Sequence, residues 1–237
     1  MAICLMVTAG FSQNIVRRDS RPAAVAEKLR EHGVSLTREG LVTALRSEDP
    51  EVRSLAAAQL AFYEGAKETI PDIRAALERE SDSLAKVNIA YALAQLGDQD
   101  GFEALRAGCF DSKIVPRIRL FAAGYLLNLR RGYCVTAALD ILQDSDSPAD
   151  KMQALSLLPQ FGDLSEKDAV RMRALVFGAL QDPTPAVRIS AGQVIAAIGD
   201  ETAEASVRAA IEREGDEVVR SELQSDLRRL RKKHGEK

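Results

Sequence analysis

A short phrase returns six times along this chain. A capping residue comes first, often followed by Pro; four places after the cap stands Arg or Lys; small residues and then Leu or Ile follow. The basic member is Arg53, Lys86, Arg119, Lys151, Arg188 and Arg220, at intervals of 33, 33, 32, 37 and 32 residues. A steady period of this length marks stacked supersecondary units, a solenoid in which each unit buries its apolar face only against its neighbours. It points to a binding surface before it points to a catalyst.

Each part of the phrase has a local cause. Four places before the basic residue stand Asp49, Asp82, Val115, Ser147, Thr184 and Asp216. All but Val115 carry a side-chain oxygen able to accept from the free N–H groups of a helix's first turn, so they read as N-caps. Pro50, Pro116, Pro148 and Pro185 follow the cap, where the missing N–H has no partner to lose. Three places after the basic residue come Ala56, Ile89, Ala122, Ala154, Ala191 and Leu223; seven places after it come Leu60, Leu93, Leu126, Leu158, Ile195 and Leu227. Ten places after it come Tyr63, Leu96, Leu129, Phe161, Ile198 and Leu230. Offsets of 3, 7 and 10 trace one stripe on a helix. Gly97, Gly162 and Gly199 are expected to close three of these helices in the left-handed conformation. A second helix precedes each phrase, with apolar faces such as Leu41, Ala44 and Leu45, or Val170, Leu175, Val176 and Leu180. Each unit is therefore a pair, helix A then helix B.

Asp49-Pro50-Glu51-Val52-Arg53 with Ala56-Ala57 and Leu60 resembles the HEAT repeat, as does Asp182-Pro183-Thr184-Pro185-Ala186-Val187-Arg188 with Ala191 and Ile195. The short unit is most similar to HEAT-like repeats of the phycobilisome-lyase type. The likeness covers roughly 36–233, and the last repeat departs from it, with Gln224 at an alanine position as suits a polar cap. The resemblance implies an all-α, right-handed α-α superhelix of about five to six helix pairs. It also implies a scaffold more readily than an enzyme.

Apolar content of 46% and charged content of 28% are ordinary for a globular chain, and a net charge of −3 gives no general pull toward nucleic acid or anionic membranes. Residues 1–13 contain Ala2-Ile3-Cys4-Leu5-Met6-Val7-Thr8-Ala9, too short to span a bilayer. They read as a truncated signal peptide lacking its basic region, or as a disordered or packed start. Export follows from the first reading and a cytoplasmic location from the others. Residues 14–35 read as a capping helix and 36–237 as the solenoid. Cys109 and Cys134 fall at opposite ends of successive A helices. In repeat register an offset of about seven residues adds roughly 10 Å to the helix separation, beyond a disulfide's reach, so both are expected as small buried hydrophobes.

The basic ladder is the tempting site, yet Asp49, Asp82, Asp150, Asp182 and Asp216 stand near its members, so it reads as structural pairing between repeats. His32 and His234 lie far apart in sequence, and no metal-ligand spacing, nucleophilic triad or phosphate loop is present, so no catalytic residue, cofactor or metal is expected. His32 reads as a helix C-terminal residue, and Arg228, Arg229, Arg231, Lys232 and Lys233 as cations favoured by a helix end. The exposed side of the B helices is expected to line the concave face with Gln59, Asn88, Tyr91, Tyr125, Asn128, Gln153, Gln160 and Gln193. Gln59, Asn88, Tyr91, Tyr125 and Asn128 form the candidate recognition patch, since amides and tyrosines suit a protein interface. The expected function is a non-catalytic scaffold binding a protein or peptide, without nucleic acid or membrane insertion. The alternatives are a lyase-like enzyme or enzyme accessory, and a repeat module of a larger exported assembly.

Overall fold

The computed structural model describes residues 21–200 and 202–235; the N-terminal segment with its apolar run lies outside them. Thirteen α-helices occur among the described residues. They are α1 (Arg21–Glu31), α2 (Arg38–Ala44), α3 (Pro50–Leu60), α4 (Ile70–Arg79), α5 (Ser83–Gln95), α6 (Gln99–Phe110), α7 (Pro116–Asn128), α8 (Val135–Asp144), α9 (Pro148–Leu157), α10 (Glu166–Ala179), α11 (Pro185–Ile198), α12 (Ala203–Arg213) and α13 (Glu217–Lys233). The fold is an all-α solenoid of helix pairs, α2/α3 through α12/α13. The B helices α3, α5, α7, α9, α11 and α13 begin where the phrase places them. Asp49, Asp82, Ser147 and Asp216 accept from first-turn N–H groups. Val115 offers no such bond. Thr184 stands at the cap position, but its side chain accepts none.

The chain forms two compact units, Met1–Ala104 and Leu105–Lys237, with the boundary inside α6. In the first, α3 packs on α1, α2 and α5, and α4 packs on α5. In the second, α9 packs on α7, α8 and α11, α10 packs on α8 and α11, and α13 packs on α11 and α12. Within each unit B helices therefore neighbour B helices, and α1 takes the place of a B helix ahead of the first pair.

The stripe supplies the core. Ala56, Ile89, Ala122, Ala154, Ala191 and Leu223 are all 0% exposed. Leu60, Leu93, Leu126, Leu158 and Ile195 are buried beside them, while Leu227 packs partly buried against the core. A fully buried Leu or Ile contributes about 1.5–3 kcal/mol relative to exposure. The position ten places on is looser, and Ile198 is already 37% exposed. Among the A helices Leu41, Ala44, Leu45, Val176 and Leu180 are buried, but Val170, expected on the apolar face of α10, is 65% exposed.

Two expectations fail on backbone geometry. Gly97 alone of the three predicted closers is left-handed, at φ 84°, with Asp98 N–H donating to the Leu93 carbonyl. Gly199 is extended, at φ −62° and ψ 152°. It is small for a packing reason: a Cβ there would lie 2.5 Å from the Ile195 carbonyl oxygen and 3.1 Å from Ala203 Cβ. The left-handed closing residue of α7 is Arg130, at φ 58°, with Arg131 N–H donating to the Leu126 carbonyl.

The cysteine expectation is also corrected. Cys109 and Cys134 form a disulfide, with their Cα atoms 6.1 Å apart. The assumed register counted every residue at a helical rise. However, α7 ends at Asn128 and α8 begins only at Val135, with Cys134 in the non-helical connection. Non-helical chain advances up to about 3.3 Å per residue against about 1.5 Å in a helix, so a few such residues recover the roughly 10 Å offset.

Candidate interaction surface

The residue two places before each cap organises the turns between repeats. Where it is a carboxylate, it accepts from the cap residue's own N–H: Asp82 N–H to Glu80 at 2.9 Å, Thr184 N–H to Asp182 at 2.8 Å, Asp216 N–H to Glu214 at 3.0 Å. The same carboxylates bind the ladder cation of the preceding repeat. Arg53 donates to both oxygens of Glu80 at 2.6 and 2.7 Å, Lys151 to Asp182 at 2.8 Å, and Arg188 to both oxygens of Glu214 at 2.7 and 2.9 Å. Arg53 and Arg188 also donate to turn carbonyls, those of Ser47 and Glu48 and those of Asp182 and Pro183. Arg119 donates to the Cys109 carbonyl at 2.8 Å, and Arg220 to the Glu214 carbonyl. Lys86 is exposed and makes no ion pair among the described residues.

These pairs set the local electrostatics. Burial pushes Glu80 and Asp182 up, but bonds from Arg53 and Lys151, joined by backbone N–H groups, outweigh it and hold both below the usual carboxylate range. The Arg188 bond likewise holds Glu214 down. At the last repeat, bonds from Arg231 and Arg208 lower Glu204 to about 2. Three of the five C-terminal cations are bonded, Arg231 to Glu204, Arg229 to Asp226, and Lys233 to the Ala197 and Gly199 carbonyls, while Arg228 and Lys232 face solvent. Asp226 is 1% exposed, and its Oδ2 has no hydrogen-bond partner. Burial, with Glu222 adding and Arg229 opposing, pushes its carboxyl up to about 6.

With the repeat geometry in view, the comparison with known families is decisive. A family model of HEAT repeats matches residues 38–127 and 135–228, most of the chain. The chain belongs to the HEAT-repeat family. The match is to HEAT repeats as such and not to the phycobilisome-lyase subtype. No curated protein matches it.

The predicted recognition patch of this HEAT-repeat protein is less open than its sequence suggests. Gln59 is half-buried, with a buried Oε1 that lacks a partner. Asn88 and Tyr91 on α5 are half-buried in the first unit, and each has a bonded or electrostatic neighbour. Tyr125 on α7 is half-buried and has such a neighbour too, while Asn128 is exposed; both belong to the second unit. Of the other predicted surface amides, Gln153 is buried, and Gln160 and Gln193 are exposed. His32 follows α1 and lies 3.9 Å from Asp49.

A second surface of the HEAT repeats carries exposed apolar side chains. Phe110 is 47% exposed, Val115 58% and Tyr133 54%, all around the Cys109–Cys134 bridge. From Leu105 to Tyr133 the chain holds six basic residues (Arg106, Lys113, Arg117, Arg119, Arg130 and Arg131) against one acidic residue, Asp111, a net of +5. With a total of −3, the rest of the chain carries −8. A running local charge would have found this segment, where the total charge hides it. Among the described residues no group of three or more His, Cys, Asp or Glu is placed to hold a metal, and no helix is long and apolar enough to cross a membrane.

Proposed function

We propose that this protein is a non-catalytic scaffold that binds a protein or peptide partner through its exposed repeat surface. The observation that carries the reading is the use of the recurring polar positions. In five of six repeats the ladder cation is bonded within the helix-pair turns, to a carboxylate or a backbone carbonyl. The regular part of the sequence thus builds the stack, and the irregular surface is left for recognition, as is common for HEAT repeats. Cross-linked affinity capture from the native cells tests the reading: a protein retained in stoichiometric amount supports it, and turnover of a small molecule by the purified chain overturns it.

A second reading, that the module works in an oxidising compartment, is favoured by the Cys109–Cys134 bridge, since disulfides are rare where thiols are kept reduced. Alkylation of protein taken directly from its native cells should leave both cysteines unmodified until a reductant is added. Alkylation of both without reductant would refute it.

A further inference from the structure

Resting on the scaffold reading, we propose that the surface pinned by the Cys109–Cys134 bridge is the docking site, and that its occupant is an acidic protein segment carrying an apolar anchor. Phe110 and Tyr133 each adjoin a bridged cysteine. With the cysteine Cα atoms 6.1 Å apart, the Cα atoms of the two aromatics lie within about 14 Å of one another. Both rings are about half exposed, and Val115 nearby is 58% exposed. Tyr and Phe are enriched in protein interfaces, and Tyr is among the residues that most often carry their energy.

The support is cross-linked and hydrogen-bonded at both of its turns. Cys109 is held covalently to Cys134, and its carbonyl accepts from Arg119 at 2.8 Å. The turn after Phe110 is closed by Lys113 N–H to Asp111 Oδ1 at 2.9 Å and Ile114 N–H to the Asp111 carbonyl at 3.1 Å. The turn before Tyr133 is closed at left-handed Arg130, and Arg131 donates to the Tyr133 hydroxyl at 3.4 Å. A surface fixed before binding loses little freedom on binding.

Charge selects the occupant. Lys113, Arg117 and Arg130 are exposed and make no ion pair among the described residues, whereas the ladder cations Arg53, Lys151 and Arg188 are paired. The local excess of +5 sits in a chain whose remainder is −8. Fields between exposed charges fade over about 8–10 Å at ordinary ionic strength, so a short acidic segment meets chiefly the basic patch. The net charge of −8 on the rest of the chain disfavours a long polyanion such as nucleic acid. The aromatic pair calls for an apolar side chain among the partner's carboxylates.

The probe is a short fluorescein-labelled peptide of Glu and Asp with a central Leu-Phe pair, titrated by anisotropy against the intact chain. It should bind, weaken as salt rises, and bind poorly when its acids are replaced by Gln and Asn. The double variant Phe110→Ala with Tyr133→Ala, and separately Lys113→Glu with Arg117→Glu, should each weaken it by about tenfold or more with melting unchanged. Cys109→Ser with Cys134→Ser should weaken binding at a temperature where circular dichroism shows the helices intact. An oligonucleotide of equal charge bound more tightly than the peptide, or self-association through this face in light scattering, overturns the proposal in favour of that occupant. If native capture retains a partner and both surface variants retain it equally, this site is wrong and the scaffold reading stands. If nothing is captured, the scaffold reading itself has failed.

Discussion

At the scale of single residues, the repeat decides which size fits. The position three after the ladder cation is 0% exposed in all six repeats, and four of its six occupants are alanine. Alanine lets the neighbouring helix come close in those four, while Ile89 and Leu223 fill the same position in the second and sixth repeats. One place further on stand Ala57, Ala90 and Ala123, but Gly192 in the fifth repeat. A Cβ at Gly192 would sit 2.6 Å from Leu223 Cδ2 and 2.8 Å from Asp226 Oδ2. The large members of the stripe fill what the small ones leave. Leu126, 0% exposed, is one of them. Leu126→Ala is therefore expected to destabilise the protein by about 2–5 kcal/mol, the lost transfer energy plus that of a cavity. Urea melts of the single variant check this. A loss under about half a kcal/mol would mean the site collapses without a cavity.

At the scale of elements, caps and stripes were legible because they are local: a cap binds N–H groups two or three residues on, and a stripe repeats every turn. Most partners of the ladder were not; Asp182, which binds Lys151, is the exception. The sequence put Asp82 and Asp216 beside the cations, being nearest to them along the chain. Those carboxylates face their own helix ends, Asp82 accepting from Ala85 N–H and Asp216 from Val218 and Val219 N–H. Glu80 and Glu214, two residues earlier, stand clear of the helix and reach the preceding repeat. The disulfide escaped for a related reason, since a periodic reading cannot see where a helix is interrupted. The aromatic and basic surface around it escaped because the repeat describes what neighbouring units share, and this surface is what one unit does not share. Arg188→Ala tests the element-scale reading. Its side chain is 15% exposed and that of Glu214 is 7% exposed, so removing the guanidinium leaves a mostly buried charge without its partner. A loss of about 3–5 kcal/mol is expected, and Arg188→Met with Glu214→Leu should recover most of it. Partner capture should survive wherever the fold does; unchanged melting with lost capture would make the ladder a binding element instead.

At the scale of the whole molecule, stability against pH follows from carboxylates shifted in opposite directions. Glu80, Asp182, Asp200, Glu204 and Glu214 all lie below their ordinary range in the folded protein, Asp200 held there first by the Thr202 hydroxyl and the others by the cations and N–H groups bonded to them. Each contributes stability above about pH 4 and loses it as pH falls through its folded value. Asp226 is the counterweight. Burial raises it from 3.8 to about 6, so the folded state takes up this proton more readily than the unfolded chain. Its contribution is full below about pH 4 and is lost as pH rises toward 6. Stability should therefore peak near pH 4–5, falling steeply on the acid side and gently on the neutral side. Asp226→Asn keeps the shape and removes the charge. Against the parent it should gain up to about 3 kcal/mol at pH 7 and almost nothing at pH 4, a difference that urea melts across that range resolve. Curves that stay parallel from pH 4 to pH 7 would show that Asp226 takes up its proton alike in the folded and unfolded chain, so that no charge is buried there.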